Sequence, residues 1–181
     1  MIVNLINREI MKVYKSLVFT LLFGISTVIN FGCGSYSFTG ASVPAHLKTI
    51  AIPIADDKSP AAIPGLRELL TENLIQKFIS DNSLQVSERS IANATLECVV
   101  TSVTDAPAIV SAGEQISSRR LTINVKVIYK DLVQKKTIFE NNFTNYGDYV
   151  PGEVTNNRDD AIAIAVDKLS EDILLAVVSG W

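Results

Sequence analysis

Arg120-Leu-Thr-Ile-Asn-Val-Lys-Val-Ile-Tyr-Lys130 decides the fold. Leu121, Ile123, Val125, Val127 and Tyr129 fall on one face of an extended chain, and Arg120, Thr122, Asn124, Lys126, Ile128 and Lys130 fall on the other. Strand side chains alternate with period two, so this pattern describes a sheet buried on one side and wetted on the other. Asp131 to Lys136 makes a polar turn. Thr137-Ile-Phe-Glu-Asn-Asn-Phe-Thr-Asn-Tyr146 then runs back as the hairpin partner, with Phe139 and Phe143 alternating against Glu140 and Asn142.

Upstream of the hairpin, Leu47-Lys-Thr-Ile-Ala-Ile-Pro-Ile54 reads as a strand whose far end is marked by Pro53. Turn signals follow at Asp56, Asp57, Ser59, Pro60 and Pro64-Gly65. From Pro64 to Ser80, Leu66, Leu69, Leu70, Leu74 and Phe78 recur at three- and four-residue steps, which predicts a helix with Pro64 in its opening turn and Asp81-Asn82-Ser83 at its end. A short strand around Leu84–Ser87 and a longer one over Ala94–Val103 come next. Asn157–Val178 is predicted to be a second helix, with Ile162, Val166, Leu169, Ile173 and Val177 on one face and Asp159 and Asp160 suited to the positive end of its dipole. The expected fold class is α+β: two helices packed on one face of a small, mostly antiparallel (mixed) sheet.

The start of the chain reads differently. A basic segment with Lys12 and Lys15 precedes a charge-free run, Ser16-Leu-Val-Phe-Thr-Leu-Leu-Phe-Gly-Ile-Ser-Thr-Val-Ile29, and then Asn30-Phe-Gly-Cys33-Gly34. The run is shorter than the roughly 20 residues that a bilayer-spanning helix needs, and it is apolar all round rather than on one stripe. Basic, apolar, small-then-Cys is the order of a bacterial export signal that ends in a lipidated cysteine. Asn30 departs from that pattern, since Leu or a small apolar residue usually stands there. The expectation is a signal peptide over 1–32 (with Met11 as an alternative start), a mature N-terminus acylated on Cys33, a tether over 33–46 and one domain over 47–181. Tyr36 and Phe38 in the tether are expected to dock on the body.

Removing residues 1–32 takes away Arg8, Lys12, Lys15 and Glu9, leaving 13 basic and 18 acidic residues, net −5. An acidic chain lacks the clustered positive charge that a general nucleic-acid grip requires. With Cys33 lipidated, Cys98 has no disulfide partner and is expected to pack as a small apolar group. His46 is the one histidine, so no metal site of ordinary spacing is present, and neither a nucleophile elbow nor a phosphate-binding loop occurs. Asp56-Asp57 and Asp159-Asp160 read as loop and helix-start residues rather than acid/base pairs. The chain is not expected to be an enzyme or to hold a cofactor beyond the lipid on Cys33. Arg120, Lys126 and Lys130 share one strand face, where they could meet the phosphates and sugar acids of lipopolysaccharide or simply be solvated and discourage edge pairing.

Several features in order carry a resemblance: Cys33-Gly-Ser-Tyr-Ser-Phe-Thr-Gly40, a strand with Ile50-Ala-Ile-Pro53, and a Leu-rich helix after a Pro-containing loop. Arg119-Arg120-Leu-Thr-Ile-Asn-Val-Lys-Val, Tyr146-Gly-Asp-Tyr149 and a closing helix that stops at Trp181 complete it. Together these resemble the LPS-assembly lipoprotein (LptE) family, in the form found in Bacteroidetes- and Chlorobi-type bacteria. The resemblance implies a lipid-anchored protein on the periplasmic side of the outer membrane that binds and plugs an LptD-like β-barrel and assists lipopolysaccharide assembly. Gly34 after the cysteine resembles the sorting pattern for the outer membrane. The alternative is an outer-membrane lipoprotein that activates a peptidoglycan synthase. The linker after Cys33 reaches at most roughly 40 Å at ~3.5 Å per residue, which favours a partner in the outer membrane.

Overall fold

The computed structural model describes residues 43–108, 118–152, 154 and 157–179. The expected leader, Cys33, Tyr36, Phe38 and Trp181 lie outside the described residues. Among the described residues, six strands and two helices follow in the order β1 (Thr49–Ala51), β2 (Asp56–Asp57), α1 (Leu66–Asp81), β3 (Gln85–Val86), β4 (Ala94–Pro107), β5 (Arg119–Asp131), β6 (Lys136–Tyr149) and α2 (Arg158–Ser179).

They form a single mixed sheet with strand order β3-β1-β4-β5-β6, and β2 pairs with β4 off that path. The long strands β4, β5 and β6 are antiparallel to one another, whereas the short β1, β2 and β3 join in parallel. A parallel pair needs a crossover, and α1 supplies it between β1 and β3. The predicted alternation holds along β5, where Leu121, Ile123, Val125, Val127 and Tyr129 are buried and the intervening residues are partly exposed. One register shift in β4, between Val100 and Ser102, leaves Thr101 as an extra residue, and its hydroxyl donates to the Asn124 carbonyl at 3.2 Å.

Both helices pack on the apolar face. Leu66, Leu70, Leu74 and Phe78 of α1 and Ala165, Leu169, Ile173 and Val177 of α2 join the sheet's buried side chains in one core. Across the top of the helices, Lys77 Nζ bridges Asp167 at 2.9 Å and Glu171 at 2.8 Å. Cys98 lies in this core, and burial pushes its thiol up to about 12, so it acts as an apolar group with no thiolate chemistry at neutral pH.

Several boundaries differ from the sequence expectation, among them the end of β4, which runs past Val103 to Pro107. The strand expected over 47–54 is cut at Ala51, and Asp56-Asp57, read as turn residues, form β2 against Val99 and Val100. Helix α1 starts at Leu66 because Gly65 sits in the left-handed region at φ 78, which leaves Pro64 outside. At its other end Asn82 (φ 58) closes the helix by donating its N–H to the Phe78 carbonyl. Strand β6 runs three residues beyond Tyr146, to Tyr149.

Where the chain meets β1, His46 Nε2 lies 2.7 Å from Asp131 Oδ2. The Asp131 carboxylate is wholly buried and accepts the N–H groups of Val133 and Gln134, each at 2.8 Å, through its other oxygen. Burial alone would raise this carboxyl; those amides and His46 outweigh it and hold it below the ordinary carboxylate range. One side chain thus fastens the chain before β1 to the turn between β5 and β6.

Candidate functional site

The face of β4, β5 and β6 turned away from the helices carries the residues singled out from sequence. Alternation brings Arg120, Lys126 and Lys130 to that face, as period two requires, and each meets a carboxylate from a neighbouring strand. Arg120 makes a two-pronged contact with Asp148, Nε to Oδ1 at 2.7 Å and Nη2 to Oδ2 at 2.8 Å, and its guanidinium stacks over the Tyr146 ring at 3.7 Å. Lys126 pairs with Glu140 at 2.6 Å. Lys130 pairs with Glu97 at 2.6 Å, and Arg89 approaches the other oxygen of Glu97 at 3.0 Å.

These contacts set the local acidity. Arg120 holds Asp148 below the usual carboxylate range, and Lys130 does the same for Glu97 against the opposing effect of burial. Between the charged ends, Asn124 donates to Ser102 Oγ at 2.8 Å and accepts from Thr144. The face is therefore a hydrogen-bonded polar surface in which four cations stand against three carboxylates. Arg120 uses two of its five donors on Asp148, and the lysine ammoniums carry three donors each, so capacity for further oxygen ligands remains.

A second cluster, invisible in sequence, sits at the end of the sheet on the helix side. Asp105 accepts from Arg119 Nε at 2.8 Å, Tyr149 Oη at 2.7 Å and Arg158 Nε at 3.3 Å, which ties β4, β5, β6 and the first turn of α2 together. Burial would raise Asp105, but the hydrogen bonds from Tyr149, Arg119 and Arg158 outweigh it and keep the carboxyl low.

One acid of each doublet has a structural partner. Asp57 Oδ1 accepts the Ser59 N–H at 2.8 Å. Asn157 caps α2 by accepting the N–H groups of Asp159 and Asp160, and Asp160 returns the contact to the Asn157 N–H at 3.0 Å. Among the described residues no group of three or more His, Cys, Asp or Glu side chains could hold a metal ion. Among them, too, no helix is long and apolar enough to cross a membrane.

No curated protein matches the chain in sequence. Among solved structures it is similar to a hypothetical protein of Chlamydia trachomatis, with TM-score 0.56 at 10% identity over 72% of this chain and 95% of that one. A protein of Xanthomonas campestris gives TM-score 0.53 at 13% identity over 76% and 90% of the two chains. The rare lipoprotein B of Shewanella oneidensis gives 0.47 at 13% identity over 71% and 92%. Identities this low speak to the fold alone. The family model described as LptE, lipopolysaccharide-assembly, matches residues 47–177, from the first buried side chain before β1 to the last turns of α2. The chain belongs to the LptE family, which serves lipopolysaccharide assembly and not catalysis.

Proposed function

We propose that this protein is an outer-membrane lipoprotein subunit of the lipopolysaccharide translocon, anchored through acyl chains on Cys33 and seated in an LptD-like β-barrel. The match to the lipopolysaccharide-assembly family across residues 47–177 is the observation that carries the reading. An acidic mature chain and the basic, apolar, small-then-Cys start of the sequence support it. In this role the chain works by binding: it fills the barrel's lumen, helps the barrel fold and assists the last step of lipopolysaccharide export.

Arg120, Lys126 and Lys130 are the proposed contacts to lipopolysaccharide. Each is bound to a carboxylate yet more than a third exposed. A phosphate can occupy the remaining donors of Arg120 without displacing Asp148, and the lysines can share their ammonium between a carboxylate and a phosphate. Lys126→Gln with Lys130→Gln weakens lipopolysaccharide binding by the purified protein while the melting temperature stays within a few degrees; equal binding by wild type and variant rejects the contact.

Affinity capture of the tagged protein from detergent-solubilised membranes tests the role itself. A stoichiometric large barrel protein is the expected partner. Recovery of a peptidoglycan synthase in its place would move the assignment to the alternative activity.

A further inference from the structure

We propose that the end of the sheet where the chain enters β1 is a docking surface for a phospholipid bilayer, with Ile91 and Val133 entering the headgroup layer and Lys48, Lys135 and Lys136 meeting lipid phosphates. The inference rests on the anchor proposed at Cys33 and adds to it a defined face of the folded body. Strand register brings these residues to one end, since Ile50 pairs with Ala94 and Ala94 with Asp131. The Asn93 side-chain oxygen accepts the Lys48 N–H at 3.0 Å, the Asn93 carbonyl accepts the Leu132 N–H at 2.8 Å, and His46 holds Asp131. The entering chain, the loop before β4 and the β5–β6 turn therefore form one fixed surface.

Ile91, two residues before Asn93, is 72% exposed, and Val133, one residue after Leu132, is 57% exposed. The Ile91 N–H donates to the Glu88 carbonyl at 3.1 Å and the Val133 N–H to Asp131 Oδ1 at 2.8 Å, so a fixed backbone presents both side chains to solvent. Lys135 adopts the left-handed conformation, φ 54, at a place in the hairpin loop where Gly or Asn fits at less cost. Lys48, Lys135 and Lys136 are exposed, and none has an ion-pair partner among the described residues, whereas Arg120, Lys126 and Lys130 each have one. The acids at this end are the wholly buried Asp131, Asp81, which is bonded to Ser83, and the exposed Glu88. Arg89 and Lys130 also outnumber the Glu97 that they share. Positive charge is in excess here although the mature chain is acidic.

Two observations select a bilayer as the occupant. The first is the length of chain before this end. Val43 is the first described residue and packs against the core, and Cys33 stands ten residues before it. Ten residues reach at most about 35 Å, whereas the 13 residues of β5 run about 43 Å to the Asp105 end of the sheet. A tether held at Cys33 therefore cannot run back along the body and turn the Asp105 end to the membrane; the end that carries Val133 is the one left near the headgroups. The second is charge and polarity. Isolated apolar side chains ringed by lysines suit shallow insertion, because the apolar groups enter the boundary of the acyl region while the ammoniums, on long stems, stay level with the phosphates. Each cation near an anionic lipid surface strengthens binding about fivefold.

The test holds the chain from residue 34 onward on vesicles through an N-terminal histidine tag in place of Cys33, bound to a nickel-chelating lipid. The described core begins at Leu47, so this chain contains all of it. Val133→Cys carries a polarity-sensitive fluorophore, and Cys98 stays unlabelled because it is buried. On vesicles of phosphatidylethanolamine and phosphatidylglycerol the label is expected to shift to the blue and to be quenched by brominated acyl chains. The same label on Val154→Cys, exposed beside Asn157 at the opposite end, is expected to do neither. Lys135→Gln with Lys136→Gln lowers the ratio of docked to undocked label about 25-fold, fivefold for each charge, at an unchanged melting temperature. Equal quenching at residues 133 and 154, quenching at neither, or indifference to the two lysines overturns the proposal. So does a label at residue 133 that is equally shielded without lipid, which would give the surface to a second copy. The tag needs no acyl chain, barrel or lipopolysaccharide, so failure here rejects the docking surface alone, whereas an unmodified Cys33 in protein from the native host rejects the anchor.

Discussion

Gly147→Ala is expected to unseat α2. A Cβ built on Gly147 would lie 2.1 Å from the Ala161 carbonyl oxygen and 2.8 Å from both its carbonyl carbon and its Cα. All three are main-chain atoms of the first turn of α2, so no side-chain rotation relieves the clash. The helix start must move out by about 1 Å, or β6 must bow, in an interior packed like an organic crystal. Overpacking of this kind costs about 1–3 kcal/mol, and a main-chain obstacle puts the cost near the upper end. Loss of glycine's freedom in the unfolded chain offsets about 0.5–1 kcal/mol. The net loss of about 2 kcal/mol lowers the melting temperature by about 5–8 °C for a domain of this size. Thermal unfolding followed by circular dichroism measures it. Ala161→Gly should give no rescue, because the obstacle is backbone. Gly152→Ala is the control: nothing lies within 4 Å of it, and its φ of +89 costs only the left-handed penalty of about 1–2 kcal/mol. A Gly147→Ala protein as stable as wild type would refute the close seating of α2 on β6.

Asp131→Ala removes the acceptor of the Val133 and Gln134 N–H groups and frees His46, and is expected to cost about 2 kcal/mol in chemical denaturation, against about 1 kcal/mol for His46→Ala. Equal losses would mean that the backbone contacts contribute nothing. Folded Glu97, Asp105, Asp131 and Asp148 all lie below their ordinary values of 4.5 and 3.8, so their stabilisation is complete above those values and fades as pH falls through the depressed ones. The melting temperature should therefore drop steeply below about pH 4, and a flat profile there would contradict the ion-pair assignments. Burial raises Cys98 from 9.0 and Tyr129 from 10.0, each to about 12, so stability is full below the ordinary values and is lost as pH climbs toward the raised ones. Cys98→Val should leave neutral-pH stability within about 1.5 kcal/mol and soften the alkaline loss; an unchanged alkaline profile would exclude the thiol as a contributor.

The hairpin and both helices were legible because each obeys a single local period: two along Arg120–Lys130, and three to four along Leu66–Phe78 and Ile162–Val177. The boundaries that moved did so for reasons outside that period. Asp56-Asp57 becomes a strand only because β4 offers a free edge next to β1, and Gly65 starts α1 by taking a left-handed conformation that Pro64 alone did not reveal. The common face of Arg120, Lys126 and Lys130 follows from alternation. Their carboxylate partners do not, since Glu97–Lys130 depends on the β4–β5 register and Lys126–Glu140 on the diagonal of the hairpin. The Asp105–Arg119–Tyr149–Arg158 cluster joins residues up to 53 positions apart, and no local signal announces it.

Depletion of the protein in its native host measures the central claim most directly, with lipopolysaccharide at the cell surface and peptidoglycan cross-linking followed side by side. The account predicts that surface lipopolysaccharide falls together with the folded form of its barrel partner while peptidoglycan synthesis continues. Undiminished surface lipopolysaccharide after complete depletion would contradict it.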